Sequence, residues 1–326
     1  VPSSAPLPDG TLPGGRVQAT RARAAPPATL LARHLPVPAT VHRERVSAMI
    51  IDCHVHLNRY GAGQAASLRE RYLRLRAEMD RNGVDYALVL SSYFQSAERP
   101  NTREILDVVG DDPRIGVVAA VSYLYYRAAD LADLRVLLRE ERIKGLKLYP
   151  GYEPYYVHDP RMRVVYELAG EFGVPVMIHT GDTYDPKGRI KYSHPIEVDE
   201  VAVDFRDVTF VICHLGNPWI TDAMEVIYKN PNVVGDISGF TLGQFEERFE
   251  RFMLQQVNEA VAFASDPSKL LFGTDWPICD MGSYIRFVNQ LHLTEAENDQ
   301  IFWRNAARLF RIELPDARVD EARTSR

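Results

Sequence analysis

The sequence has few cysteines, no long apolar segment and no glycine-rich nucleotide loop, and each absence removes a class of protein. Its three cysteines, Cys53, Cys213 and Cys279, show neither a CxxC spacing nor an even count. We therefore expect no disulfide framework and a reducing, cytoplasmic location. No apolar run approaches the ~18 residues that span a bilayer. No glycine fingerprint for a dinucleotide follows any predicted strand.

Positive charge is also scarce over most of the chain. The net charge is −6, yet residues 1–48 hold six Arg against Asp9 and Glu44, a balance of +4, which leaves −10 for residues 49–326. An acidic body of this kind argues against nucleic acid as a partner. With no membrane segment either, we expect the partner to be a small-molecule substrate.

Residues 1–48 differ in composition from the rest of the chain. They are rich in Pro, Ala and Arg and lack a sustained apolar period, so they cannot bury enough surface to offset the entropy of ordering. We predict a disordered extension followed by one folded domain over residues 49–326. The Arg-rich, acid-poor extension resembles a transit peptide, but translation upstream of Met49 explains it equally well.

From Met49 onward, short apolar runs alternate with helical patterns, which is typical of βα units around a parallel sheet. Eight strands are predicted: Met49–Cys53, Tyr86–Leu90, Ile115–Val121, Gly145–Leu148, Pro175–His179, Thr209–Cys213, Val233–Asp236 and Leu270–Gly273. Helical patterns follow each strand, near 65–82, 101–110, 128–141, 160–172, 196–205, 218–229, 244–264 and 281–291. Eight such pairs predict a single (β/α)8 TIM barrel. An extra C-terminal helix is predicted from Thr294 to Phe310, where Thr294 and Glu297 have capping-box spacing.

In such a barrel the chemistry lies at the C-terminal ends of the strands. Residues able to bind a metal or exchange a proton stand at five of these ends: His54, His56, Lys147, His179, His214 and Asp275. The pair His54 and His56, two apart in a strand, presents both imidazoles to one side. Alone, that pair could be two solvated histidines, but six residues at strand ends predict a shared metal site. Cys53 and Cys213 are expected to be packing residues that strand alternation turns away from it.

Five short motifs resemble the amidohydrolase superfamily, in particular the metal-dependent branch that includes aminocarboxymuconate semialdehyde decarboxylase. They are IDCHVH, GLKLYP, PVMIHTG, FVICHLG and FGTDWP, and the resemblance covers about residues 49–311. It implies a TIM barrel in which His54, His56, His179 and Asp275 hold one divalent ion. Zinc is the expected ion, with manganese or iron as alternatives.

The resemblance also implies roles for three residues of the site. Asp275 and His214 would be the catalytic acid and base beside a metal-activated water. Lys147 has two roles open to it: carboxylated, it would bridge a second metal that His214 also binds, or as an ammonium it would bind a substrate carboxylate. We favour one metal.

The substrate is indicated only by aromatic residues near the strand ends. Tyr149 and Trp276 are expected to contact a planar, partly apolar substrate, although such rings could equally cover the barrel end or form the interface of a homodimer. The favoured function is hydrolysis of a C–N or C–O bond in a small amide, lactone or ester. The alternative is a non-oxidative decarboxylase (a carboxy-lyase) of a small carboxylic acid, aromatic or aliphatic, on the same site.

Overall fold

Eight parallel strands form the centre of the fold. The structure, a computed structural model, describes residues 47, 49–61, 64–65, 67–264 and 266–313. The strands in this part of the chain are β1 Ile51–Val55, β2 Tyr86–Leu90, β3 Ile115–Ala120, β4 Gly145–Leu148, β5 Val176–Ile178, β6 Phe210–Ile212, β7 Val233–Asp236 and β8 Leu270–Leu271. Each pairs in parallel with the next in sequence. The predicted barrel is therefore confirmed, and the predicted strands differ from the observed ones by two residues or fewer at each end.

Helices follow the strands as predicted. They are α1 Leu68–Asn82, α2 Thr102–Val109, α3 Ala128–Arg139, α4 Arg163–Phe172, α5 Glu197–Asp204, α6 Ile220–Lys229, α7 Glu247–Ala264 and α8 Met281–Asn289. Capping boxes at Ser67 and Asn101 satisfy backbone N–H groups at the starts of α1 and α2. None of the helices in the described ranges combines the length and apolar character needed to cross a membrane.

The C-terminal helix begins as predicted, with Thr294 accepting from the backbone N–H of Glu297. It is interrupted, however: α9 Glu295–Asp299 and α10 Asn305–Leu309 are joined by a π-helical turn, Gln300–Arg304. This turn has a structural use, because the carbonyl of Ile301 accepts a hydrogen bond from the backbone N–H of Phe272, just after β8 (2.9 Å). The extra helix thus packs on the outside of the barrel at its last strand.

The seam between β1 and β8 is closed partly by a buried side chain, because β8 is only two residues long. The Asp52 carboxylate accepts hydrogen bonds from the Thr274 hydroxyl (2.6 Å), the Thr274 N–H (3.0 Å) and the His54 N–H (3.1 Å). Burial raises the pKa of Asp52 to about 7. The Asp275 N–H in turn donates to the His54 carbonyl (2.7 Å). Closing the barrel therefore also brings His54 and Asp275 together.

The predicted N-terminal extension lies outside the described residues except at its end, so its disorder remains a prediction. Ser47, inside the predicted extension, donates its hydroxyl to the carboxylate of Asp299 (2.9 Å). Ser47 thus contacts the last residue of α9.

Candidate metal centre and active site

His54 and His56 each use one ring nitrogen to hold their position. His54 Nδ1 lies 2.9 Å from an Asp236 carboxylate oxygen, and His56 Nδ1 lies 2.9 Å from the carbonyl of Leu90. Both partners are acceptors, so each Nδ1 carries the hydrogen and each Nε2 keeps a free lone pair. Side chains of metal-binding histidines are fixed in this way.

The free nitrogens of this pair face Asp275. Its Oδ1 is 3.4 Å from His56 Nε2 and 3.9 Å from His54 Nε2. The ligand atoms of these three residues all lie within 4.8 Å of one another, and all three side chains are buried. Asp275 has a left-handed backbone conformation (φ 66°), which costs a non-glycine residue about 1–3 kcal/mol and is characteristic of functional sites. The fold thus places a carboxylate opposite two imidazole lone pairs.

His179 and His214 complete a ring of four histidines. The His214 ring centre is 4.8 Å from that of His54 and 5.1 Å from that of His179. His179 Nε2 is hydrogen-bonded to the carbonyl of Asp182 (3.0 Å), which leaves Nδ1 free. His214 Nδ1 lies 3.2 Å from the carbonyl of Ser238, which leaves Nε2 free. His179 is next to His214 and is not part of the group that His54, His56 and Asp275 form.

The electrostatics of this ring suit a metal ion. Burial lowers the pKa of each of the four histidines, that of His214 to about 3, so the imidazoles are neutral at neutral pH, as ligands must be. Burial also raises the pKa of Asp275 well above its ordinary value, an effect that a bound cation would oppose. Neutral nitrogen donors, each with its other ring nitrogen hydrogen-bonded, together with one carboxylate fit a divalent first-row metal.

Lys147 lies in the same interior, and its nearest polar partner is a sulfur atom. Its Nζ is 2.8 Å from Cys213 Sγ, and both side chains are completely buried. The expectation that Cys213 points away from the site is wrong. Strand alternation stops at Ile212, because the next residues form a tight turn in which His214 is left-handed (φ 60°).

Asp236 was missed by the sequence analysis, although it organises two of the site histidines. It ends β7 and is completely buried. In addition to the hydrogen bond from His54, its carboxylate accepts hydrogen bonds from the backbone N–H of His214 (3.0 Å) and the backbone N–H of Ser238 (3.1 Å). Burial alone would raise its pKa, but His54 and His214 hold that pKa below its ordinary value. The available signal was an aspartate between apolar residues at the C-terminal end of strand 7. The rule that chemistry lies at the ends of barrel strands could have identified it.

A second group of His54, Cys213 and Asp236 also has its ligand atoms within 4.8 Å of one another. It is a poorer metal site for two reasons. His54 Nδ1 already carries a hydrogen toward Asp236, and the Lys147 amine occupies the position beside Cys213 Sγ. The side where the Nε2 atoms are free is therefore the better candidate for a metal site.

Tyrosine rings pack beside the site. Tyr152 lies over His179 (ring centres 4.6 Å apart), and Tyr93 contacts both Tyr149 (5.0 Å) and Tyr152 (5.7 Å). The Tyr149 hydroxyl donates to the Ser91 carbonyl (2.6 Å), so this residue offers its ring face rather than its hydroxyl. Trp276, the other predicted contact, directly follows Asp275 and is half-buried.

Arg99 is a second residue that sequence reasoning missed. Its guanidinium lies 4.9 Å from the ring centre of Tyr60, and its charge contributes to the low pKa of His56. In the described part of the chain, no carboxylate lies within salt-bridge distance of Arg99. Arg99 lies in the loop after β2. Nothing in the sequence gives reason to consider that loop, because no predicted metal ligand lies in it. The site therefore contains two cations, Arg99 and Lys147, that form no ion pair with a carboxylate of the described residues.

The sequence pattern that defines the amidohydrolase family matches residues 51–312 of this chain. No curated protein sequence matches this chain. Among solved structures, 5-carboxyvanillate decarboxylase from Sphingomonas paucimobilis is 16% identical with a TM-score of 0.60, covering 82% of this chain and 100% of its own. A dihydroxybenzoic acid decarboxylase from Polaromonas, with bound manganese and 2-nitroresorcinol, is 15% identical with a TM-score of 0.59, covering 82% and 98%.

A probable 2-pyrone-4,6-dicarboxylic acid hydrolase from Acinetobacter baumannii is also similar, at 18% identity and a TM-score of 0.57, covering 80% of this chain and 98% of its own. At these identities the likeness shows a shared barrel fold. The family match, by contrast, spans every residue of the site described above, from His54 to Asp275. This chain therefore belongs to the amidohydrolase family of metal-dependent enzymes.

Proposed function

We propose that this enzyme removes CO2 from a small, planar carboxylic acid without an oxidant, using one divalent metal ion. The observation that carries the proposal is that two cations with no carboxylate partner among the described residues, Arg99 and Lys147, lie with a wall of tyrosine rings beside the metal-binding group. Decarboxylases are also more frequent than hydrolases among the similar structures. We therefore favour decarboxylation over hydrolysis, the reverse of the preference drawn from the sequence.

The metal would be held by His54, His56 and Asp275, with His179, which follows β5, as a fourth ligand. A divalent ion there would bind electron-rich oxygen atoms of the substrate and stabilise the charge that develops on them. Nitrogen and carboxylate donors suit Zn2+, the ion predicted from sequence, and also the Mn2+ found in the Polaromonas enzyme. We favour one ion over two, because Lys147 is bonded to Cys213 rather than bridging toward the His54 and Asp275 group.

The cations and the rings would orient the substrate. Arg99 offers a planar guanidinium that can bind a carboxylate with two hydrogen bonds. Lys147 is buried 5.1 Å from the ring centre of Tyr149, so its charge would act on a flat substrate stacked on that ring without direct contact. Because the site is buried, these interactions would be stronger than in water.

The proton required at the substrate carbon would come from the His214 and Asp275 side of the site. Burial raises the pKa of Asp275, whereas a bound cation would lower it, so with the metal in place this carboxylate would accept and return a proton rather than store one. Asp275 Oδ2 and His214 Nδ1 both border the space beside Gly239, where an added Cβ would lie 3.1 Å and 2.4 Å from them. Once the carbon bearing the carboxylate is protonated, the electrons of its C–C bond return to the ring as CO2 leaves.

Hydrolysis is the second candidate, because the same acid and base could serve the attack of water on a lactone or ester. The two reactions leave different isotopic marks. A panel of hydroxylated benzoic acids and of lactones, incubated in D2O and in water labelled with heavy oxygen, separates them. We expect CO2 release with deuterium on the carbon that lost it. Incorporation of labelled oxygen from lactones, with no CO2 from any acid, would show that hydrolysis is the reaction.

The role of Arg99 can be tested on whichever acid is turned over. Replacing Arg99 by Met keeps the length of the side chain but removes the charge. We expect KM to rise roughly 10- to 100-fold, since a hydrogen bond to a charged group contributes about 1.5–3 kcal/mol. The matched control is Arg103→Met on the exposed face of α2, where the arginine pairs with Asp133. An unchanged KM in the Arg99 variant would remove it from the substrate site.

Two glycines in the loop after β7 test the proton path. Gly239 and Gly243 have nearly equal left-handed conformations (φ 70° and 69°), but only Gly239 lies against His214, while Gly243 has nothing within 4 Å of an added Cβ. Ala at either position carries about the same backbone penalty, of order 1–2 kcal/mol. Gly239→Ala should also displace the His214 ring and lower kcat by about 10-fold or more.

The measurement is kcat for both variants at a temperature where each is fully folded by circular dichroism. Equal losses of kcat in the two variants would mean that backbone strain, and not contact with His214, is responsible.

A further inference from the structure

Lys147 and Cys213 form a contact that the proposed reaction does not use. Nζ and Sγ are 2.8 Å apart, closer than the two atoms approach without a strong interaction, and neither side chain has any exposed surface. In the described part of the chain, no carboxylate oxygen lies within 4.0 Å of Nζ, and Sγ is its only hydrogen-bond partner. A buried lysine is ordinarily paired with a carboxylate, so a thiol is an unusual partner.

Two of the buried acids near Lys147 are already engaged by other donors. Asp52 accepts from Thr274 and His54, and Asp236 accepts from His54, His214 and Ser238. The fold therefore holds the lysine nitrogen against a sulfur instead of neutralising it. A nitrogen nucleophile and an oxidisable sulfur are thus fixed side by side inside the barrel.

We propose that Lys147 and Cys213 are the site of a reversible oxidative cross-link, a nitrogen–sulfur bond formed when hydrogen peroxide reaches the barrel interior. In the first step the thiol sulfur attacks one peroxide oxygen, the O–O bond breaks, and a sulfenic acid and one water are formed. In the second step the Lys147 ammonium releases one proton to solvent and, as an amine, attacks that sulfur; the S–O bond breaks, and the hydroxide leaves with a further proton of the amine as a second water. Sulfur loses two electrons and peroxide gains them. Sulfenic acids are known to condense with neighbouring nitrogen atoms in this manner.

The surroundings single out this cysteine among the three. Cys279 Sγ donates to the carbonyl of Thr241 (2.7 Å) and has no lysine beside it. Cys53 lies in the same interior, close enough for the charge of Lys147 to act on it, so a disulfide between Cys53 and Cys213 is the competing product. Peroxide is a small molecule, and His214 and Asp275 next to the pair are 9% and 7% exposed.

The cross-link has a consequence for the site. It removes the positive charge of Lys147 and ties β4 to the turn after β6. An acid substrate would then lose one of its two cations, so oxidation would lower turnover and a thiol reductant would restore it.

Peptide mapping of the purified, metal-loaded protein tests the proposal without any substrate. After treatment with hydrogen peroxide and alkylation of free thiols, we expect a digest to contain the peptides of Lys147 and Cys213 joined, at the sum of their masses less two hydrogens. Dithiothreitol should release both peptides. Cys213→Ser and Lys147→Arg should abolish the product, whereas Cys279→Ser, a buried cysteine without a lysine, should keep it.

Three results would overturn the proposal: Cys213 unmodified, Cys213 carried on to sulfinic or sulfonic acid, or a disulfide to Cys53. If the Cys213 or Lys147 variant fails to fold, the map of the wild-type protein decides alone. Because the readout is mass, a failure of the proposed decarboxylation would leave this result unaffected.

Discussion

The Asp236 carboxylate links strands β1, β6 and β7 at the end of the barrel that carries the candidate site. It receives Nδ1–H of His54, the backbone N–H of His214 and two groups of Ser238, and it is completely buried. Hydrogen bonds to a buried charge contribute about 1.5–3 kcal/mol each, which is enough to offset the strain of a left-handed His214, of order 1–3 kcal/mol. One carboxylate therefore fixes the tautomer of one histidine and the backbone of another, and strands β1, β6 and β7 share it.

The charges inside the barrel follow from this arrangement. Asp52, Asp236 and Asp275 are all buried within the same end of the barrel, and Lys147 is the buried cation among them. Burial raises the pKa of Asp275, and the four histidines around it are kept neutral. A divalent ion beside Asp275 would supply the missing positive charge where the lone pairs of His54 and His56 converge. The metal is thus expected from the electrostatics of the site as well as from its donors.

Most of the fold and part of the site could be predicted from the sequence. The alternation of apolar runs with helical patterns gave all eight strands, and β2, β4 and β7 agree in both ends, because buried parallel strands are continuous apolar runs bounded by polar turns. His54 and His56 could be identified because a pair of histidines two residues apart in a strand is a local signal in the sequence. The strand-end rule then located His179, His214 and Asp275.

What could not be predicted depends on contacts between distant strands or on local exceptions to periodicity. Asp236 and Arg99 act through residues far away in sequence, and neither has a spacing that marks it. The direction of the Cys213 side chain was predicted wrongly, because the left-handed turn at His214 ends the strand alternation that the prediction assumed. The π-helical turn at Gln300–Arg304 is invisible to a 3.6-residue period, because it is stabilised by its bond to Phe272 beside β8.

The central claim is that the tautomers set by Asp236 and Leu90 direct two imidazole lone pairs at a single metal ion. Anomalous diffraction from a crystal of the metal-loaded protein, collected at the absorption edge of the ion, tests it most directly. We predict one peak per chain, within bonding distance of His54 Nε2, His56 Nε2 and Asp275 Oδ1. A peak on the Nδ1 side of His54, between Cys213 and Asp236, or a second peak bridged by Lys147, would contradict the account.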